Sequence, residues 1–147
     1  MKILGICNAN NSGAAIIVDD VVLASVNEER FTRNKLTKEF PSNSVKYVLD
    51  FAGLSLDDID FIGCGAWAGI DSSQTLPVLL GDLAEKTKCG EYSEARAFDR
   101  LKATMKSDAL AKQQLINGCI SNGIPIEKLY FCDHHLSHAL VAFYPSD

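Results

Sequence analysis

Three short apolar runs, Lys2 to Cys7, Gly13 to Val18 and Val21 to Val26, open the chain, and their spacing leaves few folds available. Each is too short for a helix that buries a face, and each is bounded by polar residues, so each reads as a strand. The polar run Asn8 to Gly13 turns the chain between the first and second. Only Asp19-Asp20 separates the second from the third, which is hairpin spacing, although Asp-Asp is a weaker turn former than Asp-Gly. The expectation is an α/β chain whose mixed sheet opens with three antiparallel strands.

The pattern then changes period. Beyond the charged stretch Asn27 to Lys38, Pro41 and Ser42 mark a helix start, Val45, Val48, Leu49 and Ala52 fall on one face, and Gly53 is a natural stop. Asp60 to Gly65 reads as a strand whose glycines let it approach another backbone or a ligand. Ala66 to Lys106 carries no usable motif and is taken as an insertion with some helix. A helix over Ser107 to Ser121 is predicted from the stripe Leu115, Ile116, Cys119 and Ile120, with Asn122-Gly123 as its exit. Lys128 to Cys132 is a further buried strand, and Asp133 is placed to cap a last helix that Pro145 ends. The order β-β-β-α-β-α-β-α, with helices on the sheet faces, is that of ribonuclease H-like folds.

Composition narrows the partners. With 147 residues, 47% apolar and 22% charged, the chain suits one globular domain with a buried core. A net charge of −5 with scattered Lys and Arg gives no basic stripe for a phosphate backbone, so no nucleic acid partner is expected. No stretch approaches the ~20 apolar residues that span a bilayer, so no membrane partner is expected either. Five widely spaced cysteines, Cys7, Cys64, Cys89, Cys119 and Cys132, are an odd count in mostly apolar surroundings, which fits a reducing, cytoplasmic location.

Three segments are able to carry chemistry. All three histidines lie in Asp133-His134-His135-Leu136-Ser137-His138, and on a helix capped by Asp133, His134 and His138 are one turn apart on the same face. That pair can chelate a divalent transition metal, iron or zinc, but a helix start also collects surface histidines, and two ligands do not complete a site. The turn holding Asn10, Asn11 and Ser12 offers backbone N–H groups to an anion, against the plain conformational preference of turns for such residues. In Asn27-Glu28-Glu29-Arg30-Phe31-Thr32-Arg33-Asn34-Lys35, Arg33 and Lys35 are suited to phosphate or carboxylate, against a solvated loop with local ion pairs.

Together these segments resemble the N-terminal part of the NodU/CmcH-type O-carbamoyltransferases, cytosolic enzymes that carbamoylate signalling oligosaccharides and antibiotics. The resemblance covers most of the chain. It rests on Ile3-Leu4-Gly5-Ile6 leading to Gly13 to Asp19, on Glu28-Glu29-Arg30-Phe31-Thr32-Arg33, and on Asp133 to Ala139 followed by Ala142-Phe143-Tyr144-Pro145. It implies one ribonuclease H-like half of an actin-like ATPase fold, with a metal, iron in preference to zinc, held by His134 and His138. It also implies that a C-terminal YrdC-like domain makes carbamoyl-adenylate from carbamoyl phosphate and ATP. The part seen here would pass the carbamoyl group to a hydroxyl of a small-molecule acceptor. Two departures stand out. The family commonly has His followed by Asp or Asn where this chain has Asn10-Asn11, and asparagine is no general base near neutral pH. Where the family continues with Lys and His, this chain has Asn34, Lys35 and Leu36.

Residues 1–147 are therefore expected to form a single half-domain, a fragment of a longer chain lacking a later metal ligand and inactive alone. A kinase or ATPase of the same fold would need an acidic residue in the phosphate turn, and Asn8 to Ser12 has none. A non-catalytic module of the same fold is the other alternative, supported by Asn10.

Overall fold

Alternation of side chains along the strands decides what the sheet buries. In the computed structural model, residues 1–9, 11–65 and 110–132 are described. Strands β1 (Lys2–Cys7), β2 (Gly13–Val18), β3 (Val21–Asn27), β4 (Phe61–Gly65) and β5 (Leu129–Cys132) form one sheet in the order β3-β2-β1-β4-β5. The first three pair antiparallel, as expected, while β4 pairs parallel with β1 and β5 parallel with β4. The described residues are thus a mixed α/β arrangement on a five-stranded mixed sheet.

The β2–β3 turn works because Asp19 and Asp20 both take positive φ, 47° and 68°, the conformation that a two-residue turn between twisted strands requires. Aspartate tolerates that region better than most residues. A bulge at Ile16/Ile17 shifts the register of β3, so Ile17 faces Val22.

Helix α2 (Ser42–Ala52) follows the predicted start and stop. Gly53 stands at φ 65°, and Leu54 donates its N–H to the Leu49 carbonyl at 3.0 Å, which satisfies a carbonyl the helix would leave bare. Its Val45, Val48 and Leu49 pack with Leu4, Ile6, Ala14, Ile16, Ile62 and Cys64 from one sheet face. Residues 110–121 form α3, whose Leu115 and Cys119 join the same core. Each fully buried leucine or isoleucine here contributes about 1.5–3 kcal/mol. Residues 107–109 of the predicted second helix, the insertion 66–106, and the predicted cap and last helix at 133–147 lie outside the described residues.

Three short elements were not expected. Helix α1 (Glu29–Thr32) folds inside the charged stretch, and 3-10 turns occupy Leu56–Asp58 and Ile126–Lys128. The last of these moves the start of β5 from Lys128 to Leu129. There the Lys128 ammonium donates to the Ile59 carbonyl at 2.7 Å, tying the turn to the chain entering β4.

The opposite sheet face is lined with small residues. Gly63, Gly5, Ala15 and Ser25 stand side by side across four strands and border a shallow groove of about 290 Å³. Gly63 and Gly65 were expected to permit close approach of a backbone or ligand. Among the described residues, no atom lies within 4 Å of where a side chain on either would begin.

Candidate functional site

A carboxylate organises the charged stretch. Glu28 ends the segment leaving β3, is 2% exposed, and accepts four hydrogen bonds from the start of α2. Oε1 receives the Asn43 backbone N–H at 3.1 Å and its side-chain amide at 2.6 Å; Oε2 receives the Ser44 N–H at 2.8 Å and hydroxyl at 2.7 Å. The first turn of a helix leaves N–H groups without intrahelical partners, and Pro41 at the cap position has no side chain to serve them. Glu28 serves them from a distance in sequence, where the helix dipole also favours a negative charge. Burial opposes its ionisation more than any other single influence, yet the hydrogen bonds from Ser44 and Asn43 together prevail and hold the carboxyl below its usual range.

The Glu28 backbone extends the same junction. Its N–H donates to the Ser12 carbonyl at 2.8 Å, and the Ser12 N–H donates to the Thr37 carbonyl at 3.1 Å. The β1–β2 turn is therefore laced to both ends of the charged stretch. On the far side, the Phe40 ring lies against Gly118 of α3 so closely that an added methyl would fall inside it.

These ties frame a cleft of about 610 Å³ between the β1–β2 turn, residues 34–40 and α3. It is lined by Asn8, Asn34, Lys35, Leu36, Thr37, Lys38, Glu39, Phe40 and Gln114. Asn8 reaches the Ala111 carbonyl at 3.5 Å. The wall carries two lysines, one glutamate and three side-chain amides, so it can both balance an anion and donate to hydroxyls. Arg33 and Leu36 hold φ near 60°, a conformation that costs about 1 kcal/mol or more for a residue with a side chain.

The predicted site residues separate in this frame. Lys35 lies on the cleft wall, whereas Arg33, exposed at the C-terminal end of α1, is not among its lining residues. Asn11 is exposed at φ 63°, and Asn10 lies outside the described residues. Ser12 is fully buried, its backbone N–H already given to Thr37, so it has none to offer an anion; its hydroxyl has no partner among the described residues. Residues 30–36 are exposed, as a solvated loop would be, but Glu28 is buried and among the described residues no salt bridge involves residues 27–38.

His134 and His138 lie outside the described residues. Among the described residues, no group of three His, Cys, Asp or Glu is placed to hold a metal. Cys64 and Cys119 behave as the small apolar residues expected, burial pushing their thiols to about 12 and about 11. No described helix is long and apolar enough to cross a membrane.

Reasoning from sequence missed Glu28, Asn8, Lys38 and Gln114. An acid 15 residues before the Asn43 that it binds leaves no local signature, and amides on separate elements leave none either.

Known proteins supply an independent measure. The chain is 32% identical over 137 residues to an uncharacterised Synechocystis sp. protein, sll1178, covering 93% of this chain and 22% of that one. It is 30% identical over 138 residues to the nodulation protein NolNO of Sinorhizobium fredii, covering 90% and 17%. An uncharacterised Methanocaldococcus jannaschii protein, MJ1051, is 40% identical over 63 residues, covering 43% and 12%. The chain spans about a fifth of the length of the first two relatives. Residues 2–147 match the family described as the carbamoyltransferase N-terminus, and the chain belongs to that family.

Proposed function

We propose that this chain is the acceptor-side part of an O-carbamoyltransferase, one ribonuclease H-like half of an actin-like ATPase domain. The observation that carries the reading is the lacing of the β1–β2 turn to the basic stretch through Ser12, Glu28 and Thr37, which sets Asn8 at the start of the turn and Lys35 of the basic stretch on one cleft. The strand order β3-β2-β1-β4-β5, with β2 antiparallel, supports the fold assignment.

The donor in this reading is carbamoyl-adenylate, made from carbamoyl phosphate and ATP by a YrdC-like domain of the same longer protein. The acceptor hydroxyl oxygen bonds to the carbamoyl carbon as that carbon's bond to the phosphate oxygen breaks. AMP leaves, and the hydroxyl proton passes to a base. Lys35 balances the phosphate from the cleft wall, with Arg33 close before it in sequence and the turn residues Asn10 and Asn11 close after the cleft's Asn8. Asn10 cannot take the proton. Glu28 is no substitute, because all four of its hydrogen bonds hold it to α2.

A divalent transition metal fits the donor chemistry of His134 and His138, which would supply two imidazole ligands of at least three required. Bound there, it would act as a Lewis acid toward an oxygen of the donor.

Titrating AMP and carbamoyl phosphate into the chain, followed by amide chemical shifts, tests the reading. Changes should concentrate at Asn8, residues 34–40 and Gln114, and Lys35→Ala should weaken binding about tenfold. Shifts confined to other surfaces, or unchanged binding in Lys35→Ala, would refute it. For the metal, His134→Ala should lower iron or zinc content after dialysis, and equal content in both proteins would remove the metal from the proposal.

A further inference from the structure

The cleft holds more positive charge than Lys35 alone provides. Lys38 lines the same wall three residues on, is exposed, and has no salt-bridge partner among the described residues. Lysines on a surface usually extend into solvent or pair with a neighbouring acid. These two are exposed and border a concavity whose only carboxylate among the described residues is Glu39, so the described wall keeps a net positive balance in a molecule whose overall charge is −5. A positive cleft on an acidic chain selects for a ligand of opposite sign.

The rest of the lining describes the remainder of that ligand. Asn8, Asn34 and Gln114 present amide groups from three separate elements, each able to donate and accept, as hydroxyls require. Leu36, 63% exposed at positive φ, and Phe40 place apolar surface in the same concavity. An apolar patch among amides suits the C–H face of a hydroxylated ring, and a lysine beside it suits an acidic substituent. Leu36 donates its N–H to Glu29 Oε2 at 3.4 Å, and the next residue, Thr37, accepts the Ser12 N–H, so the strained position is tied on both sides.

We infer that the cleft takes a small polyhydroxylated acid, its carboxylate paired with Lys38 and its hydroxyls shared among Asn8, Asn34, Gln114 and Glu39. This rests on the carbamoyltransferase reading for the role of that acid as acceptor, but the binding itself does not. Lys38 is then a specificity residue that selects the acceptor's charge, while Lys35 balances the phosphate of the donor.

Calorimetric titration of the chain with glucuronate and, separately, with glucose tests the inference. Glucuronate should bind at least tenfold more tightly. Lys38→Gln should abolish that preference while leaving glucose affinity unchanged, and Lys38→Arg should restore it. Equal affinity for the two sugars, or an undiminished preference in Lys38→Gln, would overturn it. Lys38 is exposed, so the variant is checked for an unchanged circular dichroism melt. If glucuronate is preferred through Lys38 but the longer protein transfers no carbamoyl group, the site stands and the reaction is wrong. Transfer only to neutral acceptors, with no glucuronate preference, leaves the reaction standing and refutes the site.

Discussion

Glu28 and Lys38 belong to one charged run, ten residues apart, and the fold treats them in opposite ways. Glu28 is 2% exposed and saturated with hydrogen bonds from Asn43 and Ser44, whereas Lys38 is exposed on a cleft wall with no salt-bridge partner among the described residues. A buried charge is tolerated only when its partners replace water completely, so Glu28 is committed to holding the chain together. A charge beside a concavity and without a partner remains available to a ligand. Charge density along a sequence does not distinguish these roles; solvent exposure does.

The comparison breaks first at Glu28. Glu28→Ala strands the Asn43 and Ser44 donors at the start of α2 and should destabilise the chain by about 3 kcal/mol in urea unfolding. A loss under 1 kcal/mol would mean that the junction is held by other contacts. Gly118→Ala should cost about 2 kcal/mol, because the methyl must displace the Phe40 ring. The same variant should alter chemical shifts at Thr37, Lys38 and Gln114, since Phe40 shares their cleft.

Acid should reproduce part of the Glu28 effect. Its pKa is lowered in the folded chain, so its contribution is fully present above the unfolded carboxyl pKa of about 4.3 and disappears as pH falls through the folded value. Glu28→Gln should flatten that acid limb, visible as a smaller difference in thermal midpoint between pH 6 and pH 3. An identical slope in the variant would assign the limb to other carboxylates. Smallest of all, Lys38→Gln should change stability by less than about 0.5 kcal/mol, as exposed positions do. A larger loss would place Lys38 in the structural half of the comparison.

Much of the fold was legible because its signals are local. The strands Lys2–Cys7 and Gly13–Val18 and the stop at Gly53 follow from short apolar runs and turn residues whose meaning depends on neighbours a few positions away. The 3-10 turn at Ile126–Lys128 was missed because the Lys128 contact that accompanies it reaches the Ile59 carbonyl, far away in sequence. For the candidate site, Lys35 was singled out from its chemistry and lies on the cleft. Ser12 was chosen for a backbone donor that the fold gives to Thr37 instead.

What the sequence determined by itself is therefore the sheet's opening meander, the amphipathic face of α2 and the residue types available for anion binding. Periodicity and turn chemistry are properties of consecutive residues, and they persist wherever the segment is placed. Only tertiary structure decided which charges are buried, which amides meet and where a concavity forms. Those outcomes depend on segments distant in sequence coming together across the sheet, and hydrogen-bond satisfaction and desolvation are settled only after they have done so.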